Sequence, residues 1–168
     1  GDNNPQMLEQ ALASVADTCA HNVRQGRIDQ AEADARVARV TAVADYAAIA
    51  DVDLVIEAVY ENLELKQKIF RELDALLKPE AILASNTSAL DIDAIAAVTG
   101  RPGQVLGLHF FSLAHIMKLL EIVRGAQTSP AALQAALALG KRMGKVSVVS
   151  GNCHGFIGNR MLHPYVLE

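Results

Sequence analysis

The sequence predicts an α/β protein: a doubly wound sheet with a helical hairpin projecting from it. Three observations carry this. Short apolar runs at 53–59, 81–85, 104–110 and 145–150 alternate with amphipathic stretches, from residue 52 onward. Strands alternating with helices imply parallel pairing and helices on the faces of one sheet. The first forty residues carry helical spacing only and are more polar than the rest. Half of the 168 residues (51%) are apolar and 20% are charged, which supports a sizeable core and argues against a disordered chain.

The elements follow in order. Residues 5–25 place Leu8, Leu12, Val15, Cys19 and Val23 at spacings of three or four, the mark of one helical face. Pro5 suits the first turn and Gly26 the stop. Residues 29–39 (DQAEADARVAR) read as a second helix, closing a hairpin over 5–40. DLVIEAV (53–59) is a buried-strand run. The helix 62–77 that follows presents Leu65, Ile69, Leu73 and Leu76 on one face, and Pro79 ends it. AILAS (81–85) is a second strand, DIDAIAAV (91–98) a helix and QVLGLHF (104–110) a third strand. IMKLLEIV (116–123) fits strand or helix. Ser129-Pro130 opens an Ala-rich helix reaching about Met143, KVSVVS (145–150) is another strand, and 156–168 starts a last helix.

Composition narrows the function. The 15 basic and 19 acidic residues leave a net charge of −4. A mildly acidic chain without a basic run is a poor partner for nucleic acid, where phosphate neutralisation dominates affinity. No apolar stretch has the length of a membrane span, and no signal peptide is visible. Cys19 and Cys153 do not make a disulfide framework. These features predict a protein of a reducing compartment, placed in the cytoplasm. Cys153-His154, His115 and His163 lack metal-ligand spacing, so no metal is expected. The Asn86-Thr87-Ser88 sequon has no secretory context, and Lys66 and Lys68 read as solvated helix charges.

Ligands of open α/β sheets bind beyond the carboxyl ends of strands. Here those ends carry Tyr60-Glu61-Asn62, Asn86-Thr87-Ser88, and His109 running into Phe111-Ser112. Each turn alone reads as a helix cap; three together, with an imidazole, point to a ligand site. His109 has the side chain suited to proton transfer near neutrality. Glu121 lies within the apolar run KLLEIV, where an unpaired charge is costly. The two fit a base and its orienting carboxylate. The plainer readings are a hydrogen-bonded core histidine and a glutamate facing water at a strand edge.

The strings DLVIEAVYENLELKQKIF, SNTSAL, GLHFFSLAHIMKLLEIV and GNCHGFIGNRML occur in that order across 51–168. They resemble the NAD-binding domain of 3-hydroxyacyl-CoA dehydrogenases, and among these the dehydrogenase part of multifunctional fatty-acid β-oxidation enzymes. The resemblance implies a partial Rossmann-like fold, NAD as cofactor, an acyl-CoA substrate, and oxidation of (S)-3-hydroxyacyl-CoA to 3-ketoacyl-CoA. It makes His109 the catalytic base and Glu121 the carboxylate that orients and charges it. Ser88 and Asn159 would hold the reacting oxygen. Glu61, Lys66, Ser88 and Ser112 would lie along the cofactor, Ser112 also bordering substrate, and Asp2 would take the adenosine ribose. A 3-hydroxybutyryl-CoA or related 3-hydroxyacid dehydrogenase, or a non-catalytic family member, are the alternatives.

Two departures qualify the resemblance. Leu113 stands where the family usually has Pro, which is expected to loosen the loop beside His109. No G-x-G-x-x-G follows a strand, so residues 1–168 are expected to be an incomplete NAD-binding domain. Its first strand, phosphate-cradling loop and second strand would lie before it. A helical C-terminal domain, closing over acyl-CoA and forming homodimers, would lie after it. Alone the chain is expected to bind NAD weakly and to be inactive.

Overall fold

The structure, a computed structural model, describes residues 4–166. Asp2 lies outside the described residues. The chain divides into two compact units, residues 1–50 and 51–168.

The first unit is the predicted hairpin. Helix α1 (Pro5–Arg24) starts where the Asn4 side chain accepts from the Gln6 N–H, with Pro5 in the first turn. Helix α2 (Gln30–Ala38) is capped by Asp29, whose carboxylate accepts from the Glu32 N–H. Gly26 between them adopts φ +65°, a left-handed conformation that costs glycine little. Cys19 and Ala33 are the buried apolar residues of the pair. A single 3-10 turn, Tyr46–Ile49, closes the unit.

The second unit is a five-stranded sheet in the order β1 (Leu54–Glu57), β2 (Ile82–Ser85), β3 (Val105–Phe110), β4 (Leu119–Arg124), β5 (Val146–Gly151). Helices α3 (Leu63–Leu76), α4 (Ile92–Ala96) and α5 (Pro130–Arg142) connect the strands, and α6 (Gly158–Val166) follows the last. Side chains alternate across the sheet with period two. Leu106, Leu108, Leu120 and Ile122 face α5, where Ala132 and Ala136 let the helix approach closely. Gly107, on the other face, leaves room for Val123 and for Ile92 of α4; a Cβ there would lie 2.8 Å from the Val123 Cβ. His109 and Glu121 share that second face.

One expectation changes. The pairs β1–β2, β2–β3 and β4–β5 are parallel, but β3–β4 is antiparallel. The ambiguous run 116–123 supplies β4, and only eight residues, 111–118, separate it from β3. A parallel return needs a crossover of about a dozen residues or more, so this link can only form a reversal. The register sets His109 opposite Glu121. The reversal thus brings the start of β4 to the rim where β1, β2 and β3 end.

Candidate active site

His109 Nδ1 lies 2.7 Å from Glu121 Oε2, and both side chains are buried, with 5% and 1% exposed. A carboxylate only accepts hydrogen bonds, so Nδ1 carries a proton, and the lone pair of the neutral ring belongs to Nε2. The other oxygen, Glu121 Oε1, accepts the backbone N–H of Ile157 (2.9 Å) and Gly158 (2.8 Å). These are orphan donors of the α6 N-terminus, where the helix dipole favours an anion. Glu121 is therefore not a solvated edge residue. Both of its oxygens are held by donors.

The chain makes an abrupt turn to reach this carboxylate. Gly155 and Phe156 are both left-handed, at φ +71° and +51°. Phe156 is buried, with its ring 5.6 Å from the imidazole. Phe111 flanks the imidazole at 4.6 Å. Gly158 permits this packing, since a Cβ there would lie 2.7 Å from Phe111 Cζ. Among the described residues, Ser147 Oγ is the only buried side-chain polar atom without a partner. Among the described residues His109 Nε2 has no hydrogen-bond partner.

A second polar group stands beside this pair. Asn159 Nδ2 donates to the Ser88 carbonyl at 3.3 Å. The two consecutive residues Gly158 and Asn159 thus tie α6 to Glu121 and to the turn after β2. Asn86 of that turn accepts from the Phe110 N–H (2.9 Å), next to His109. Glu61 Oε1 accepts from the Thr87 hydroxyl (2.6 Å) and from the N–H groups of Ser88 (2.9 Å) and Ala89 (3.2 Å). Partial burial pushes the Glu61 carboxyl up. The Thr87 hydroxyl, the Ser88 and Ala89 amides and the Lys66 ammonium outweigh that and hold it below its ordinary value.

Lys66 overturns the solvated reading. Its side chain is 1% exposed, and Nζ donates to Glu57 Oε1 (2.7 Å) and to the Val59 carbonyl (3.2 Å). Lys68, two residues on, is the solvated one. Ser88 and Ser112 are exposed at the rim. Ser112 makes no hydrogen bond to the other site residues. Leu113 beside it adopts φ +61°, which a proline ring cannot reach. The loop here is therefore turned differently from one holding Pro, rather than merely loosened. Among the described residues no cluster of His, Cys, Asp or Glu is placed to hold a metal.

Sequence reasoning missed Glu57, Phe156 and Gly158, and it placed Asn86 and Phe111 at the rim without a role. Glu57 offered one signal: a carboxylate inside a buried-strand run, nine residues before a lysine. The others act through backbone approach and ring packing, which leave no spacing to read.

A sequence profile of the family described as 3-hydroxyacyl-CoA dehydrogenase, NAD binding domain, matches residues 1–153. The chain belongs to that family. The peroxisomal bifunctional enzyme of Danio rerio is 62% identical over 116 residues, 69% of this chain and 16% of that protein. A peroxisomal fatty acid beta-oxidation multifunctional protein of Arabidopsis thaliana is 44% identical over 162 residues, 96% of this chain and 22% of that one. The chain therefore spans about a fifth or less of the length of these relatives. Among solved structures, 3-hydroxybutyryl-CoA dehydrogenase of Escherichia coli K12 superposes with TM-score 0.95 at 35% identity, over 98% of this chain and 35% of that one. The dehydrogenase part of a multifunctional enzyme of C. elegans gives 0.78 at 31%, over 97% and 37%.

The fold class, the family and NAD as the family's cofactor stand as the motifs implied. The cytoplasmic expectation does not: the relatives are named peroxisomal or glyoxysomal. Peroxisomal addresses are short signals read by a receptor, so composition and cysteine count do not report them.

Proposed function

We propose that residues 1–168 form the central part of the NAD-binding domain of a longer peroxisomal dehydrogenase. The whole enzyme would oxidise (S)-3-hydroxyacyl-CoA to 3-ketoacyl-CoA in fatty-acid β-oxidation. One observation carries the reading: the buried Glu121 carboxylate lies on His109 Nδ1, which leaves Nε2 as the ring nitrogen available to take a proton. The multifunctional relatives support the longer chain, which would carry further activities or a homodimer contact.

The rim suits the nicotinamide end of a dinucleotide rather than its phosphates. It offers the Ser88 and Ser112 hydroxyls and the half-exposed Glu61 carboxylate. The nearby ammonium of Lys66 is already buried and paired, so phosphates find no free cation there. In this reading Lys66 acts through Glu61. When bound, NAD supplies the hydride acceptor.

The remaining steps belong to the protein. Ser88 and Asn159 hold the substrate hydroxyl near His109. Nε2 removes its proton as C3 loses hydride, giving ketone and imidazolium. Glu121 interacts more favourably with that cation than with the neutral ring, so its stabilisation is larger in the transition state than in the ground state. Burial strengthens the effect.

The test is NADH formation by the full-length enzyme with a 3-hydroxyacyl-CoA. His109→Gln should lower kcat by about 10³-fold, within the range for general acid–base groups, and leave NADH affinity within about twofold. Equal loss of turnover and affinity would make His109 a structural residue. The hydroxybutyryl-CoA neighbours make a four-carbon substrate the second reading, and kcat/KM across chain lengths separates the two.

A further inference from the structure

Beneath the rim lies a second buried ion pair that the reaction does not touch. Glu57, the last residue of β1, has a side chain 2% exposed. Its Oε1 accepts from Lys66 Nζ (2.7 Å) and from the Val59 N–H (2.6 Å), and its Oε2 accepts from the Ser85 hydroxyl (2.7 Å). Its own carbonyl accepts from the Asn86 N–H at 2.7 Å. One residue thus binds the end of β2, the turn after β1, the turn after β2 and helix α3.

The connection continues outward. Lys66 Nζ is 3.7 Å from Glu61 Oε2, and Glu61 Oε1 holds Thr87, Ser88 and Ala89. Lys66 therefore stands between two carboxylates, hydrogen-bonded to the buried one at 2.7 Å and 3.7 Å from the other. Glu57 decides that division, because a buried ammonium takes whichever anion is available.

We infer that Glu57 is a positioning residue for cofactor binding: by holding the Lys66 ammonium inward, it leaves Glu61 free to clamp the Ser88 turn at the rim. The inference rests on the dehydrogenase reading, in which Glu61 and Ser88 border the nicotinamide. Without the Glu57 charge, Lys66 turns to Glu61. The Glu61 carboxylate then swings off the Ser88 and Ala89 amides, and the rim loses its shape.

Glu57→Gln in the full-length enzyme tests this by steady-state kinetics and by fluorescence titration of NADH. The expected result is a KM for NAD and a Kd for NADH raised at least fivefold. Because Ser88 also serves the substrate, the KM for acyl-CoA and kcat should change as well, but by less than the Kd for NADH, since Asn159 still holds the Ser88 carbonyl. An unchanged Kd, or a uniform loss of both substrates and turnover that follows the melting temperature, overturns the inference.

Should Glu57→Gln fail to fold, Glu57→Asp keeps the charge and shortens its reach. A twofold or greater rise in Kd is then expected, and none overturns the inference. A native enzyme that binds NADH but does not oxidise hydroxyacyl-CoA refutes the dehydrogenase reading and leaves the Glu57 titration decisive. A native enzyme that does not bind NADH overturns both.

Discussion

Glu121 and Glu57 are two buried carboxylates of one sheet, on β4 and β1 with two strands between them, and each uses both oxygens. Glu121 binds an imidazole on one oxygen and two helix N–H groups on the other. Glu57 binds an ammonium and an amide on one oxygen and a hydroxyl on the other. The difference lies in the partner. The Lys66 ammonium is itself closed off, with the Val59 carbonyl and a second carboxylate around it. His109 keeps one nitrogen without a hydrogen-bond partner among the described residues. A buried charge that serves chemistry needs a partner with a free valence, whereas one that serves architecture has none.

The sharpest way to break that contrast is Glu121→Gln. Oε1 already accepts two backbone N–H groups, so a glutamine must turn its amide nitrogen toward His109. Nδ1 then accepts, the proton moves to Nε2, and the imidazole can no longer act as a base. We predict a fall in kcat of about 10³-fold, with KM for NAD within about twofold, measured by steady-state kinetics of the full-length enzyme. Glu57→Gln should show the opposite split. If both substitutions change kcat alone, the two carboxylates do the same work and the comparison fails.

Stability gives the next largest effect, through two lysines of one helix. Lys66→Met leaves Glu57 buried without its cation, and breaking a buried pair costs about 3–5 kcal/mol. Lys68 is 72% exposed and 4.0 Å from Glu72. Lys68→Met should change stability by less than about 0.5 kcal/mol. Chemical denaturation of both variants measures this. Equal effects would mean that Lys66 is not buried as described.

These lysines also show how far the sequence could be read. Both belong to a helix recognisable from its apolar spacing, and that spacing puts Lys66 on the inward stripe with Ile69, Phe70 and Leu73 and Lys68 opposite; what it does not tell is which anion meets the inward lysine. The answer depends on Glu57, a residue of β1 brought against α3 by tertiary packing. The strands and helices were readable because period and caps are local. The direction of β4 was not read, although the short link 111–118 contained it: the run 116–123 fits helix or strand until its partner is known. His109 and Glu121 were readable as a pair on chemical grounds and family resemblance. The α6 N-terminus that completes the carboxylate shell was not, because backbone N–H groups carry no residue identity.

Gly158 sharpens the catalytic side of the comparison. A Cβ at this position would lie 2.7 Å from Phe111 Cζ, and the Phe111 ring is 4.6 Å from the imidazole. Gly158→Ala should lose about 1 kcal/mol to overpacking, at the low end of the usual range because the ring can tilt. The tilt must come off His109, so kcat should fall about threefold while KM for NAD stays unchanged. A variant more stable than the native protein, from the alanine's better helix propensity, would show that Phe111 has room to move.

The smallest expected effect separates the rim from its foundation by pH. Burial raises the Glu61 carboxyl, but the Thr87 hydroxyl, two amides and Lys66 more than reverse this, and it titrates below its ordinary 4.5. A carboxylate depressed by folding adds stability that is fully present above the unfolded value and is lost as pH falls through the folded one. The side chain is 42% exposed, so solvent screening limits the contribution to about a few tenths of a kcal/mol. The melting temperature of the native protein should therefore exceed that of Glu61→Gln by a small, constant margin from pH 7 to about 5, near the unfolded glutamate range. The margin should close as the pH drops below about 4.5. A margin that widens on acidification would mean that folding raises this carboxyl, and that Lys66 and the Ser88 turn do not hold it.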